Sequence, residues 1–406
     1  MTAVSISPAD VDRIMGGLQI IDGDSHFAEP GDLWTSRAPA KYLDRVPRIE
    51  QLEDGWAWTL EGQFWTGLGG HTISKGRKKT LGTLCVPYEE IDDAAWSVDG
   101  RLNLMDKQSV YAAVLYPNAI GFASNALFGI EDLEFRNICS RIYNDAMMDF
   151  QHASGNRLLP QGILPTWDID LTVAEMKRLL DQGMTGFTVT DKPQLLGMPD
   201  LDHEYFAPMW ALANEAGAVI NFHIGSGLPA GMGKASPVSA AVSDIYWQSF
   251  GPQRRLAVLA TQFYMSNVRI ITNLIMSNMF DRYPNVKVVS AESGIGWVPF
   301  MLEACEYQLD EMVTDPAERA VQTRRPTEYF RSNVYVMSWF ERSCMKVLDD
   351  VGTDNVMLMT DIPHPTCLYP NTREYFADVT KDLTPDVRRK LVQDNAARVY
   401  GVKLPG

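Results

Sequence analysis

Gln19-Ile-Ile-Asp-Gly-Asp24-Ser-His26-Phe-Ala-Glu29-Pro30 is the stretch on which the reading of this chain turns. An apolar run stops abruptly at a carboxylate, and an imidazole follows two residues later. The same arrangement recurs near the other end, in Asn355-Val-Met-Leu-Met-Thr-Asp361-Ile-Pro-His364-Pro. Between them, Val219-Ile-Asn-Phe-His223 closes a third apolar run on a histidine. Three short buried strands thus each deliver a metal-type ligand at the carboxyl end. In a parallel β/α barrel those ends converge on one face, where the active site lies. The pattern points to a metal-centred enzyme.

Working outward, eight apolar runs read as strands: Gln19–Ser25, Tyr111–Tyr116, Leu158–Leu164, Gly186–Thr190, Ala218–His223, Val286–Ala291, Val334–Met337 and Val356–Thr360. Amphipathic stretches such as Leu171–Gln182, Tyr205–Ala216 and Arg255–Arg282 lie between them. Alternating strand and helix implies parallel strands with right-handed crossovers, and eight units imply closure into a (β/α)8 TIM barrel. The expectation is one α/β domain over residues 1–406, with an insertion at about 48–100 above the active-site face. The insertion carries Trp56-Ala-Trp58-Thr-Leu60 and Gln63-Phe-Trp65, read as a hairpin, then His71 and the basic loop Lys75–Lys79. Asp310–Ser332 reads as a polar surface excursion.

Composition sets the outer bounds. The 406 residues are 46% hydrophobic and 21% charged, a soluble globular profile, and α/β barrels of this length form one domain. A net charge of −15 repels nucleic acid and anionic membrane, so the expected partner is a small molecule. The 5 cysteines are scattered, without a CxxC pair, which fits a reducing compartment. No run is long and apolar enough to span a bilayer, and Met1–Gly17 does not read as a leader. The expected location is the cytoplasm.

Asp24 and His26, two apart on a strand, leave on one face and can share a divalent cation. Taken singly, Asp24 also reads as a turn cap, His26 and His223 as ordinary structural histidines, and Asp361 as a loop cap. Three independent strand ends shift the balance toward a metal site. Glu292, ending the sixth strand, reads as an acid or base, or as a buried partner of a cation or of backbone amides. His364 either holds Asp361 in place or caps its own turn. Trp297 reads as core or as pocket wall.

On Asp24-Ser-His26-x-x-Glu29-Pro30, Val219–Gly225, Ala291-Glu-Ser-Gly-Ile-Gly-Trp297, Thr360-Asp-Ile-Pro-His364 and Asp394-Asn-Ala-Ala-Arg-Val-Tyr-Gly401, the chain resembles the amidohydrolase superfamily. The likeness runs from Ile20 to Val402 and is in particular to the amidohydrolase-related branch, which includes aminocarboxymuconate-semialdehyde decarboxylase and resorcylate-type decarboxylases. The resemblance implies one divalent metal, zinc before manganese, held by Asp24, His26, His223 and Asp361. It suggests a homodimer. The expected catalytic groups are Asp361 and Glu292, with Trp297 and His364 beside the substrate. Two departures stand out: Asp-x-His replaces the usual His-x-His or Glu-x-His, and Glu292 stands where many relatives carry histidine. Lys192, past Asp191, is misplaced for the bridging lysine of binuclear members.

Two reactions suit such a site. The first expectation is hydrolysis by metal-activated water of a small aromatic or planar substrate. The alternative is non-oxidative decarboxylation of an aromatic or unsaturated acid. A Rossmann dehydrogenase is disfavoured because no GxGxxG follows the first strand, and no Gly-rich phosphate site ends strands seven and eight.

Overall fold

The computed structural model describes residues 6–53, 55–67, 73, 90–227, 245–364 and 366–405. His71 and the Lys75–Lys79 loop lie outside them. In chain order the strands are β1 (Ile20–His26), β2 (Arg48–Leu52), β3 (Gly55–Leu60), β4 (Gln63–Gly67), β5 (Val110–Tyr116), β6 (Leu158–Pro160), β7 (Gly162–Ile163), β8 (Gly186–Thr188), β9 (Val219–His223), β10 (Lys287–Ala291), β11 (Val334–Ser338) and β12 (Val356–Leu358). Each of the eight sequence-predicted runs is represented.

Two parallel arcs hold them, β1-β5-β6 and β12-β11-β10-β9-β8-β7. The ladder does not continue from one arc to the other. At one seam the predicted run Leu158–Leu164 is split, since Pro160 has no N–H to extend the ladder. At the other seam, the amides of Thr360 and Asp361 donate to the Asp24 carbonyl at 3.3 and 3.0 Å. Here β1 crosses β12 closely, and a Cβ on Gly23 would lie 3.1 Å from the Leu358 carbonyl oxygen. A side chain here would push these backbones apart by a few tenths of an ångström.

The predicted hairpin is present as β3 and β4, and β2 extends it to a three-stranded antiparallel sheet. Trp58 and Trp65 meet the buried Trp34 ring at 5.3 and 5.9 Å, so the insertion shares the main apolar core. Helices fill the crossovers, and two of them start on side-chain caps. Asp132 accepts from the Phe135 amide ahead of Leu133–Ala153, and Asp168 from Leu171 ahead of Ile169–Asp181.

Two expectations are corrected. The long stretch Arg255–Arg282 forms three helices, Pro252–Phe263, Val268–Met276 and Met279–Arg282. The first break is set by Asn267, whose side chain turns inward to the Phe222 carbonyl (2.7 Å) and the Ser290 hydroxyl (3.1 Å). The polar excursion 310–332 is largely helical, with Pro316–Arg319 and Pro326–Asn333 each opened by proline. Its polarity belongs to surface ion pairs, Arg325 and Arg319 on Asp310 at 2.8 and 2.5 Å.

Inside the strands lies a satisfied polar layer. Asn221 of β9 accepts from the hydroxyls of Tyr116 and Tyr400, both at 2.8 Å. Its amide donates to Gln161 at 2.7 Å and to the Phe187 carbonyl at 3.1 Å.

Candidate active site

Two residues beyond Asn221 on the same strand, the character changes. His223 is fully buried and its Nε2 stands 3.1 Å from Nε2 of His26. Each ring's Nδ1 faces a backbone carbonyl, Ile224 at 2.8 Å for His223 and Pro117 at 3.3 Å for His26. A carbonyl can only accept, so each Nδ1 carries the proton and each Nε2 presents a lone pair. Two lone pairs aimed at each other call for a cation between or beside them.

Asp24 completes the demand. Its carboxylate is 3.6 Å from Nε2 of both His26 and His223. The Glu292 amide approaches it, yet neither oxygen has a partner at hydrogen-bond geometry. An unpartnered buried carboxylate is costly and is ordinarily neutralised or metal-bound. Donor atoms of Asp24, His26 and His223 lie within 4.8 Å of one another, and so do those of His26, Glu292, Asp361 and His364. His26 belongs to both groups, so all of the predicted ligands meet at one place. These residues fit one divalent cation with mixed imidazole and carboxylate donors.

The electrostatics agree. Burial, and then the charges of Glu292, Asp361 and Asp22, push the Asp24 carboxyl well above its ordinary range. Burial and the neighbouring Asp361 do the same to Glu292. Burial holds His223 and His364 down to about 3, which keeps both rings neutral. Neutral imidazole is the ligating form.

Asp361 follows β12 and has a close neighbour at each oxygen. His364 Nδ1 stands 2.6 Å from Oδ1, and the Thr366 hydroxyl donates to Oδ2 at 2.8 Å. His364 also stacks on the His26 ring at 3.9 Å, and its Nε2 meets the Asn118 side chain at 3.1 Å. Glu292 and Asp361 both adopt left-handed backbone, φ +53 and +61. Such conformations cost about 1 kcal/mol or more outside glycine and gather at functional sites. Glu292 Oε2 is 3.3 Å from His223 Nε2. Trp297 is half-buried, and its indole donates to the Ser293 carbonyl at 3.0 Å, bracing the loop after Glu292. Lys192 lies beyond β8, its stem beside Gly227.

Several supporting residues escaped sequence reasoning. Glu29 is buried and accepts from the amides of Asn118 (3.0 Å) and Ala119 (2.9 Å), fixing the Pro117 carbonyl opposite His26. A charged residue in Phe27-Ala-Glu29-Pro30 was the visible signal. Arg101, from the helix Val98–Gln108, is buried and donates to the carbonyls of His26 and Ala94. Asp22 accepts from the Thr360 amide at 2.8 Å and from its hydroxyl, tying β1 to β12 below the cluster. The Phe122 ring packs 4.1 Å from that of His223. Nothing in the local sequence marks Arg101 or Phe122, because their partners are distant in the chain.

The amidohydrolase family model matches residues 21–402. The chain belongs to the amidohydrolase family. A curated relative, the gamma-resorcylate decarboxylase of Polaromonas sp. (strain JS666), is 23% identical over 314 residues, 74% of this chain and 86% of its own. An amidohydrolase from Mycobacterium avium subsp. paratuberculosis K-10 superposes with a TM-score of 0.73 at 19% identity, covering 95% of this chain and 100% of that one. A dihydroxybenzoic acid decarboxylase from Polaromonas sp. JS666, solved with manganese and the inhibitor 2-nitroresorcinol, superposes at 0.61 with 18% identity, covering 95% and 97%. At these identities the structural likenesses establish the α/β fold. The family places the chain among metal-dependent hydrolases and carboxy-lyases, and it is an enzyme. Among the described residues no helix is long and apolar enough to cross a membrane.

Proposed function

We propose that this protein is a metal-dependent carboxy-lyase that removes carbon dioxide from an aromatic acid bearing an oxygen next to the carboxylate. The observation that carries the metal site is the orphaned Asp24 carboxylate facing two imidazole lone pairs. The choice of reaction is supported by the relatives, which are named as decarboxylases of resorcylate and dihydroxybenzoic acid. They favour decarboxylation over the hydrolysis that sequence reasoning placed first. The carboxylate-rich donor set and the manganese of that relative also favour manganese over zinc.

In this reading Asp24, His26, His223 and Asp361 hold one divalent cation at the carboxyl ends of a closed eight-stranded barrel, and residues 1–406 form one catalytic unit. When bound, the cation supplies positive charge to the substrate carboxylate and its neighbouring oxygen. Ile224 and Pro117 fix the two imidazoles, while His364 and Thr366 fix Asp361, so no ligand reorients during reaction. Glu292 is the proton donor. Its side chain keeps 10% exposure, whereas Asp24, Asp361 and both histidines are fully enclosed. It can therefore reach both substrate and a solvent proton. As the carbon–carbon bond breaks, its electron pair stays on the ring carbon, which takes the Glu292 proton. Trp297 braces the Glu292 loop, and His364 positions Asp361. A homodimer carries over from the resemblance and a cytoplasmic location from composition, and light scattering and fractionation test them.

The test is turnover of hydroxybenzoates by the manganese-loaded protein in D2O. Release of carbon dioxide, with one deuterium at the vacated ring carbon by mass spectrometry, is expected. Turnover of amides or lactones instead, with no carbon dioxide from any aromatic acid, rejects the carboxy-lyase.

A further inference from the structure

Trp339 follows β11, the strand between the one that ends at Glu292 and the one that leads to Asp361. Register fixes which way it faces. Asn221 pairs with Val289 and Val289 with Tyr335, so these three share a face of the parallel arc. His223 and Ala291 occupy the next layer on that face, with Met337 and its partner Met357. Two residues further on, alternation carries Trp339 to the same side, one layer nearer the strand ends than the ligand His223.

At that point the indole is only 1% exposed, and its Nε1 has no hydrogen-bond partner. The other completely buried tryptophans are satisfied: Trp34 donates to the Cys139 carbonyl at 3.0 Å and Trp210 to Leu201 at 2.7 Å. Trp65 also keeps a buried N–H without an acceptor, but it belongs to the antiparallel sheet beside Trp34. A buried donor left unmade is costly, and at a site it marks where a ligand atom belongs. The surround is aromatic. Tyr264 meets Trp339 edge-on at 5.6 Å, and Phe340 meets the same ring at 5.1 Å. Burial, then the charges of Glu292 and Asp361, push the Tyr264 phenol up, which sets this wall beside the two carboxylates.

We propose that Trp339 selects the substrate, its indole N–H donating to a neutral oxygen substituent on the ring of the aromatic acid. The proposal rests on the carboxy-lyase reading for its ring-bearing ligand. Local charge argues for a hydroxyl, methoxy or keto oxygen over a second carboxylate. Glu341, two residues on, has one oxygen on the amides of Ile295 (2.8 Å) and Gly296 (3.1 Å), and its other oxygen is buried without a partner. An anion there would be repelled by the Glu341 carboxylate.

The probes are 2-hydroxybenzoate and its 3-, 4- and 5-methoxy derivatives, titrated calorimetrically into full-length manganese-loaded protein. At least one methoxy acid should bind wild type roughly tenfold more tightly than the parent, the effect of one buried hydrogen bond. Trp339→Phe, which keeps ring volume, should erase that preference while leaving parent affinity and manganese stoichiometry within about twofold. A wild type without preference overturns the proposal, whether or not the variant folds. So does a variant in which parent and methoxy affinities fall together, the mark of a merely structural ring. Because binding is the readout, a wild type that binds these acids with the stated preference but releases no carbon dioxide defeats the reaction while leaving Trp339 as the selector.

Discussion

Asn221 and His223 are two residues apart on one strand and both fully buried, yet they live in opposite conditions. Every polar atom of Asn221 is used, by two tyrosine hydroxyls, Gln161 and the Phe187 carbonyl. Around His223 the geometry is deliberately incomplete, with Asp24 unpartnered and two Nε2 lone pairs opposed. A closed network specifies a fold, and an open one of the same burial specifies a ligand. Polarity in a core therefore says little until its hydrogen bonds are followed.

The contrast can be broken at several points, taken in order of expected effect. Glu292→Gln keeps shape and removes the transferable proton, so kcat should fall by about 10²–10⁴ with manganese retained. Steady-state turnover and plasma mass spectrometry measure both, and a near wild-type rate would leave the proton donor unidentified and the mechanism wrong. His223→Ala should reduce bound manganese from about one equivalent to well below it while the far-ultraviolet dichroism stays unchanged. Asn221→Leu should do the reverse. It strands the hydroxyls of Tyr116 and Tyr400 and the Gln161 carbonyl oxygen, and should cost about 3 kcal/mol in urea unfolding with metal stoichiometry intact. If Asn221→Leu lost the metal and kept its stability, the two layers would not be separable.

Smaller effects sharpen the boundary. Chelation should lower the melting temperature, since a ligand held only by the native state contributes about 2.7 kcal/mol at a hundredfold excess over its Kd. An unchanged melting curve would mean that the cluster is content without a cation. Arg101→Met should weaken manganese binding by about tenfold, because it frees the His26 carbonyl that the guanidinium holds. Calorimetric titration of chelated protein reads this directly.

The candidate ligands were legible because Asp24, His223 and Asp361 each close an apolar run and His26 follows two residues on, and such endings are local properties. That rule and the convergence of parallel strand ends marked the four positions, and the family resemblance supplied their grouping as one proposed ligand set. The helical stretch 255–282 misled because its first break is made by Asn267 reaching to β9 and β10, contacts that periodicity does not encode. Glu29 was visible but its role was not, since the donors it accepts from are the amides of Asn118 and Ala119, some ninety residues away. Trp297 was left open between core and pocket, and its indole proves to be engaged with Ser293. The insertion's sheet followed from aromatic alternation, whereas the buried Arg101 beyond it had no local signature.

The left-handed backbone at Glu292 and Asp361 has an evolutionary consequence. At both positions glycine would relieve strain, so Glu292→Gly and Asp361→Gly are changes that selection for robustness alone would welcome. Each would also remove the acidic group that the site uses. Two acidic side chains held on backbone that suits neither thus trade local ease for chemistry.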